Sequence, residues 1–198
     1  MHRNITDLKK DIYFETRLRD VPFTFYSTWG LFSPEQIDEG TTLLLNEIEV
    51  KRNETILDLG CGYGPIGLTM AKLSPGGNVH LVDKDFVAIE CAKKNAAVNN
   101  ISNCKIYLSN GFSHIPKDMR FDTIASNLPA KASKEFYWIL FNDAKQYLKP
   151  GGKLYVVTIS GLKEFIKRNF QETFGNYKKL KQGRTYTVAM AVHEPSFI

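Results

Sequence analysis

Hydrophobic residues recur along the chain with two different periods. Residues 11–28, DIYFETRLRDVPFTFYST, alternate apolar and polar around Arg19-Asp20-Val21-Pro22, which is the period-two pattern of a β-hairpin. In the next stretch, WGLFSPEQIDEGTTLLLNEI, the residues Leu43, Leu44 and Ile48 share one helical side. Ser33 offers an N-cap and Pro34 a first helical position, so this helix is expected to start there. After Val50 short apolar runs alternate with helical stretches. TILDL (55–59), NVHLVD (78–83), KIYLSN (105–110), FDTIASN (121–127) and KLYVVTIS (153–160) read as strands. Helices are expected from Pro65 to Leu73, through FVAIECAKKNAAVNN with Asp85 as N-cap, over 133–148, and over Lys163–Phe174. In 133–148, Phe136, Leu140, Ala144, Tyr147 and Leu148 fall on one face. A final pair, KKLKQGRTY and TVAMAV, closes the chain. Five strand–helix units predict an α/β fold with a doubly wound parallel sheet and right-handed crossovers. Residues 1–50 are expected to form a hairpin-and-helix extension packed on a core of residues 51–198, one structural unit.

Composition narrows the class without naming it. The 198 residues are 43% hydrophobic and 24% charged, which excludes disorder, collagen and coiled coil. A chain this long buries roughly 70% of its unfolded surface, so its core needs neither disulfide nor metal. Lys+Arg 26 against Asp+Glu 21 leaves a net charge of +5, a modest basic excess that suits a polyanionic partner. The longest apolar runs, such as Leu154-Tyr155-Val156-Val157, fall far short of the ~18 residues of a membrane span. The opening MHRNITDLKKDIYF lacks the apolar core of a secretory leader. Cys61, Cys91 and Cys104 form no CxxC pair, and the four histidines show no HExxH spacing. The expectation is a reduced, cytoplasmic protein without a metal site.

LDLGCGYGPIG (57–67) carries the sharpest chemistry. A strand ends near Asp58, Gly60, Gly62 and Gly64 turn the chain, and Pro65 opens a helix whose N-terminus supplies amide donors. Such a junction at the carboxyl end of the first sheet strand is where open α/β sheets bind cofactors. Gly62-Tyr63-Gly64-Pro65-Ile66-Gly67 formally fits the dinucleotide fingerprint GxGxxG. Asp58 points elsewhere, because a carboxylate before the glycines suits a cation such as the ammonium of S-adenosylmethionine and repels a pyrophosphate. A glycine turn without a ligand is the third reading. Asp83 ends the second strand, where an acid accepts hydrogen bonds from ribose hydroxyls in either cofactor family. Its neighbour Asp85 sits where a helix cap belongs. Cys61 reads as a small tolerated side chain of the loop, with no histidine nearby in sequence to activate it.

Two resemblances sharpen this. Asp58-Leu59-Gly60-Cys61-Gly62-Tyr63-Gly64 resembles motif I of class I methyltransferases. Asn127-Leu128-Pro129-Ala130 resembles the Asn-Pro-Pro-aromatic motif of methyltransferases that modify exocyclic or amide nitrogens. It departs from that motif at Leu128, where the first proline stands, and at Ala130, where the aromatic stands. Ahead of the core, Gly30-Leu31-Phe32-Ser33, Asp38, Gly40-Thr41 and Leu43-Leu44 resemble the lead-in of the small-subunit ribosomal RNA guanine-N2 methyltransferase family. The likeness runs from about residue 12 to about residue 193, and Asn127-Leu128-Pro129-Ala130-Lys131 is closest to the family's single-domain form.

The resemblance implies a seven-stranded, mostly parallel, Rossmann-like sheet with an antiparallel C-terminal strand. It implies S-adenosyl-L-methionine as cofactor, held by Asp58, Gly60, Cys61, Gly62, Asp83, Lys84, Asn110, Gly111 and Asn127. It implies catalysis at Asn127, Leu128 and Pro129, where the Asn side-chain oxygen and the following backbone carbonyl accept the two N–H groups of a delocalised amine. Phe32, Ala130 and Lys131 are the substrate-side candidates: Phe32 to stack in place of the missing aromatic, or else to pack the hairpin, and Lys131 to meet a phosphate. The partner implied is RNA, with guanine as the base, and no metal or membrane. Two rivals stay open: an N-methyltransferase of a protein amide or small molecule, and a cofactor-binding module without catalysis. The basic run Lys178-Lys179-Leu180-Lys181 with Arg184 reads either as a phosphate contact or as a charged edge strand.

Overall fold

The computed structural model describes residue 5 and residues 10–195 of the chain. Most of the polar opening, read above as lacking a leader core, lies outside the described residues. A two-stranded antiparallel hairpin comes first, β1 (Ile12–Leu18) and β2 (Val21–Ser27), in continuous register from Ile12 opposite Ser27 to Leu18 opposite Val21. Helix α1 (Glu39–Glu47) leads into β3 (Thr55–Leu59), α2 (Pro65–Leu73), β4 (Asn78–Asp83), α3 (Phe86–Val98), β5 (Cys104–Leu108) and β6 (Phe121–Asn127). Then come α4 (Lys134–Tyr147), β7 (Leu148–Ile159), α5 (Lys163–Phe174), β8 (Lys178–Gln182) and β9 (Tyr186–Val192). The seven-stranded sheet has the order β5-β4-β3-β6-β7-β9-β8. Strands β3 to β7 are parallel, and β9 runs antiparallel to both β7 and β8. This is the α/β architecture expected from the alternation of strands and helices.

Successive strand residues point to opposite faces, so the sheet feeds two cores. On one face Ile56, Leu81, Ala125, Tyr155 and Val188 pack with the hairpin and α1–α3. On the other, Leu57, Ile124, Val156 and Ala189 pack with α4 and α5. The charged strand β8 lies at the sheet edge with Lys178, Lys179 and Lys181 exposed, the placement that discourages edge-to-edge pairing.

Two local expectations are corrected. The first helix is capped by Asp38, not by Ser33: the Asp38 carboxylate accepts from the Gly40 and Thr41 N–H groups. One carboxylate satisfies two of the orphan donors at the helix start, which a serine hydroxyl cannot match. Ser33 instead takes a left-handed φ of 46° in the preceding loop and donates to the Gln36 carbonyl at 2.7 Å. In α4 the buried stripe is Tyr137, Leu140, Phe141 and Ala144, while Phe136 faces solvent. The sequence carries two overlapping apolar stripes, and the one that meets Phe165 and Phe170 of α5 is buried.

The hairpin is fastened to α3 by two asparagines one turn apart. Asn95 Oδ1 accepts from Tyr26 N–H at 2.7 Å while its Nδ2 donates to the Tyr26 carbonyl at 2.8 Å. Asn99 repeats the pattern on Thr24, at 3.0 and 2.7 Å. Side-chain amides here take the place of a neighbouring strand for the outer edge of β2. Asn95 Nδ2 also donates to the Tyr63 carbonyl at 2.9 Å, which ties the glycine loop into the same clamp. Asn95→Ala leaves three backbone groups without this partner, and urea titration should show a loss of about 2–4 kcal/mol.

Candidate active site

The site is built along the carboxyl ends of four parallel strands. Leu59 pairs with Val82 and Asp83 with Leu108, while Asp58 pairs with Ala125. Continuing that register sets Gly60 level with Asp83 on one side and with Asn127 on the other. The chain leaves β3 toward one sheet face and β6 toward the other, so this is the crevice where an open α/β sheet accepts a ligand. The Gly60 and Cys61 N–H groups both donate to the Val82 carbonyl at 2.9 Å, which pins the start of the glycine loop to β4. Gly60 and Gly62 have φ of 76° and 54°, and a Cβ on either meets nothing within 4 Å. The loop thus presents bare backbone to open space, as a ligand cradle requires.

Asp58 is fully buried. Its Oδ2 accepts from Gly67 N–H at 2.7 Å, in the first turn of α2, while its Oδ1 has no hydrogen-bond partner. Burial pushes its pKa up to about 7, the Gly67 bond opposing and the Asp83 charge adding to the rise. An orphaned buried carboxylate oxygen beside a glycine cradle fits an incoming ammonium group. Asp83 Oδ2 accepts from Gly62 N–H at 2.9 Å and its Oδ1 from Asp85 N–H at 3.0 Å. Asp85 caps α3 through Val87 N–H at 2.8 Å, as expected. Cys61 is buried, and desolvation with the charges of Asp58 and Asp83 pushes its thiol pKa well up, which suits no nucleophile. Lys84 is exposed between the two acids.

Asn110 and Gly111 follow β5 after Ser109, whose N–H donates to the Asp83 carbonyl at 2.8 Å, so they stand beside Asp83. They open a surface groove of about 780 Å³ that runs between the 110–120 loop and α4, past Lys117, Arg120, Phe136 and Ile139. That groove touches neither Asp58 nor Asn127 and is an annex to the crevice, not its centre. Among the described residues no cluster of three or more His, Cys, Asp or Glu is placed to hold a metal. No helix among them is long and apolar enough to cross a membrane.

At the other end, Asn127 Nδ2 donates to Asp38 Oδ2 at 2.6 Å and to Thr41 Oγ1 at 3.1 Å. The Leu128 side chain is buried and its N–H donates to the Val157 carbonyl at 2.9 Å. The Pro129 carbonyl accepts from the Tyr137 hydroxyl, which fixes the turn. Ala130 and Lys131 are exposed at its tip. Phe32 is 67% exposed, so it does not pack the hairpin onto the core. Its loop is held to the glycine loop by the Tyr63 hydroxyl, which donates to the Ser33 and Gln36 carbonyls at 3.1 and 3.3 Å. The structure therefore brings Asp58, Gly60, Gly62, Asp83, Asn110 and Asn127 to one edge and hangs Phe32, Ala130 and Lys131 around it. Sequence reasoning assigned no role to Asp38 and Thr41. The available signal was an Asp followed two and three residues on by Gly and Thr, an N-cap pattern.

This topology, with a glycine loop on one side of the switch point and Asn-Leu-Pro on the other, is that of a class I methyltransferase. The chain belongs to the methyltransferase small domain family, whose model matches residues 22–190. It is similar to the uncharacterized protein YbxB of Bacillus subtilis, 39% identical over 142 residues that make up 71% of each chain. It is also similar to ribosomal RNA small subunit methyltransferase C of Hamiltonella defensa, 34% identical over 166 residues covering 82% of this chain and 48% of the relative. Among solved structures, the T. thermophilus 16S rRNA N2 G1207 methyltransferase in complex with AdoMet and guanosine superposes with a TM-score of 0.84 at 27% identity, over 92% of this chain and 50% of that one. The chain thus spans about half the length of the ribosomal RNA methyltransferases it matches. The family and the AdoMet held by that structure bear out the cofactor expectation against the dinucleotide reading.

The raised Asp58 pKa has a defined sign. The folded protein holds this proton more tightly than the unfolded chain, so the ionised group lowers stability as pH rises from about 4 to about 7. A rise from 3.8 to about 7 corresponds to roughly 4 kcal/mol against the charged form. Asp58→Asn should raise the melting temperature of the cofactor-free protein at pH 8, with the gain vanishing near pH 4, yet abolish measurable S-adenosylmethionine binding. Wild-type affinity should fall up to 10-fold per unit as pH drops below about 7, read by calorimetry.

A second pair of substitutions separates ligand from cap. Asp83→Ala should raise the cofactor dissociation constant about 10-fold or more, about 1.4 kcal/mol. Asp85→Ala should leave binding nearly unchanged and lower stability by ~1 kcal/mol, measured by thermal melting.

Proposed function

We propose that this chain is an S-adenosylmethionine-dependent N-methyltransferase that modifies the exocyclic N2 amine of guanine in ribosomal or other structured RNA. The observation that carries the proposal is the placement of Asn127, one strand from the glycine loop and level with Gly60 at the carboxyl edge. The resemblance to a 16S rRNA N2 methyltransferase solved with guanosine supports the base, and the net charge of +5 supports a polyanion.

Asp58 and the backbone of Gly60, Cys61 and Gly62 hold the methionine part of the cofactor, Asp83 with Lys84 the ribose, and Asn110 with Gly111 the adenine. When bound, S-adenosylmethionine supplies an electrophilic methyl group. Asn127 Oδ1 and the Leu128 carbonyl each accept one N–H of the amine, which holds its nitrogen and favours pyramidalisation. Pro129 stiffens the turn that presents that carbonyl. No base is required before attack, since the amine loses its proton to water once alkylated. Exposed Phe32 supplies the stacking surface that Ala130 lacks, and Lys131 meets a phosphate. The setting is the cytoplasm, where ribosomal RNA is available.

The test is transfer of a labelled methyl group to RNA from cells lacking the gene, followed by mass spectrometry of nucleosides. N2-methylguanosine is the expected product. Label confined to protein overturns the RNA reading, and no transfer to either leaves a cofactor-binding module. Asn127→Ala should slow transfer ~100-fold or more, about 2.7–4 kcal/mol of barrier, a far larger effect than on cofactor affinity.

A further inference from the structure

The proposed acceptor amide at Asn127 has its nitrogen end fully engaged by two residues from a different part of the fold. Asp38 is buried, and it stands at the N-cap of α1. Its Oδ1 accepts from Gly40 N–H at 2.7 Å. Its Oδ2 accepts from Thr41 N–H at 3.0 Å, from the Thr41 hydroxyl at 2.9 Å and from Asn127 Nδ2 at 2.6 Å. These four partners are donors, as is the Tyr186 hydroxyl that also bonds Asp38, and only an ionised carboxylate offers nothing but acceptors. The Thr41 hydroxyl, having given its proton to Asp38, turns a lone pair to Asn127 Nδ2 at 3.1 Å. A flipped Asn127 amide would set Oδ1 against the carboxylate, acceptor facing acceptor. The amide therefore has one allowed orientation, with its oxygen directed away from Asp38.

We infer that Asp38 and Thr41 are positioning residues for methyl transfer, which lock the Asn127 amide with its oxygen presented to the acceptor amine. The inference rests on the reading of Asn127 as that amine's acceptor. Orientation is one half of the effect. The other is polarisation: an anion bonded to the amide nitrogen draws electron density toward Oδ1 and makes it a stronger acceptor for an N–H that gains positive character as the nitrogen is alkylated. Gly40 completes the device. A Cβ there would lie 2.8 Å from the Tyr186 ring and 3.2 Å from Asp38 Oδ1, so only glycine lets β9 close over the start of α1. Asp38, Gly40 and Thr41 thus share one purpose, and the helix they open is the means by which the hairpin side of the fold reaches the far end of the sheet edge.

The test is a set of mutant cycles in single-turnover methyl transfer to RNA from cells lacking the gene, with cofactor affinity by calorimetry and melting temperature alongside. Asp38→Asn should slow transfer about 10- to 100-fold and leave the cofactor dissociation constant within about two-fold. Thr41→Val should also slow transfer, and Thr41→Ser, which keeps the hydroxyl, should restore it. In an Asn127→Ala background the Asp38 and Thr41 substitutions should add less than about two-fold, because the group they orient is gone. Losses that multiply in that background, or Thr41→Val at the wild-type rate, would overturn the inference while leaving Asn127 in place. Should Asp38→Asn fail to fold, the Thr41→Val and Thr41→Ser pair with its Asn127→Ala cycle decides alone. Wild-type transfer from Asn127→Ala overturns the catalytic reading itself, and the positioning role with it.

Discussion

The side-chain amide of Asn95 is the joint on which the assembly of the crevice depends. Three backbone groups from two separate segments converge on it: both polar groups of Tyr26 in the hairpin and the carbonyl of Tyr63 in the glycine loop. Helix α3 is itself fixed to the sheet through Ala88, Ile89 and Ala92 in the shared core. The amide therefore relays the position of the sheet to the extension with a direction that apolar packing alone does not impose, and Asn99 repeats the link at Thr24. With the hairpin in place, the loop carrying Phe32 can be held by the Tyr63 hydroxyl, and α1 can carry Asp38 to β6. The extension is thus a structural part of the site and not an appendage to it.

A second constraint is the charge pattern of the crevice. Asp58 is held without a partner for one oxygen, at a cost to the empty protein, and its pKa is raised accordingly. Asp38, at the other end, has both oxygens bonded to donors within the protein. One acid is left incomplete where a cationic ligand group is expected. The other is completed internally where a fixed dipole is wanted. Two carboxylates in one crevice thereby end in opposite hydrogen-bonding states, set by their surroundings alone.

The family match runs from within β2 to within β9, so it takes in the second hairpin strand and α1 together with the core. The ribosomal RNA methyltransferases it resembles are about twice as long. The groove opened by Asn110, lined by Lys117, Arg120 and the exposed Phe136 and Ile139, adjoins the crevice directly.

Much of the fold was legible in the residues themselves. The five parallel strands, the hairpin and the caps at Asp85 and Gly64-Pro65 depend on local periodicity and on local hydrogen bonds, and those are written in neighbouring positions. So was the line from Asp58 to Asp83 to Asn127, because parallel strands of known order bring their carboxyl ends together whatever lies between. The start of α1 and the buried stripe of α4 were not legible. Ser33-Pro34 and Asp38 are both competent helix starts, and α4 carries two usable stripes, so only the packing partners could select between them. The bonds from Asp38 and Thr41 to Asn127 were further out of reach, since they span 89 and 86 residues. A contact at that separation has no local period to announce it. It exists because the hairpin, clamped by Asn95 and Asn99, sets α1 across the end of β6, and that is a decision of tertiary structure.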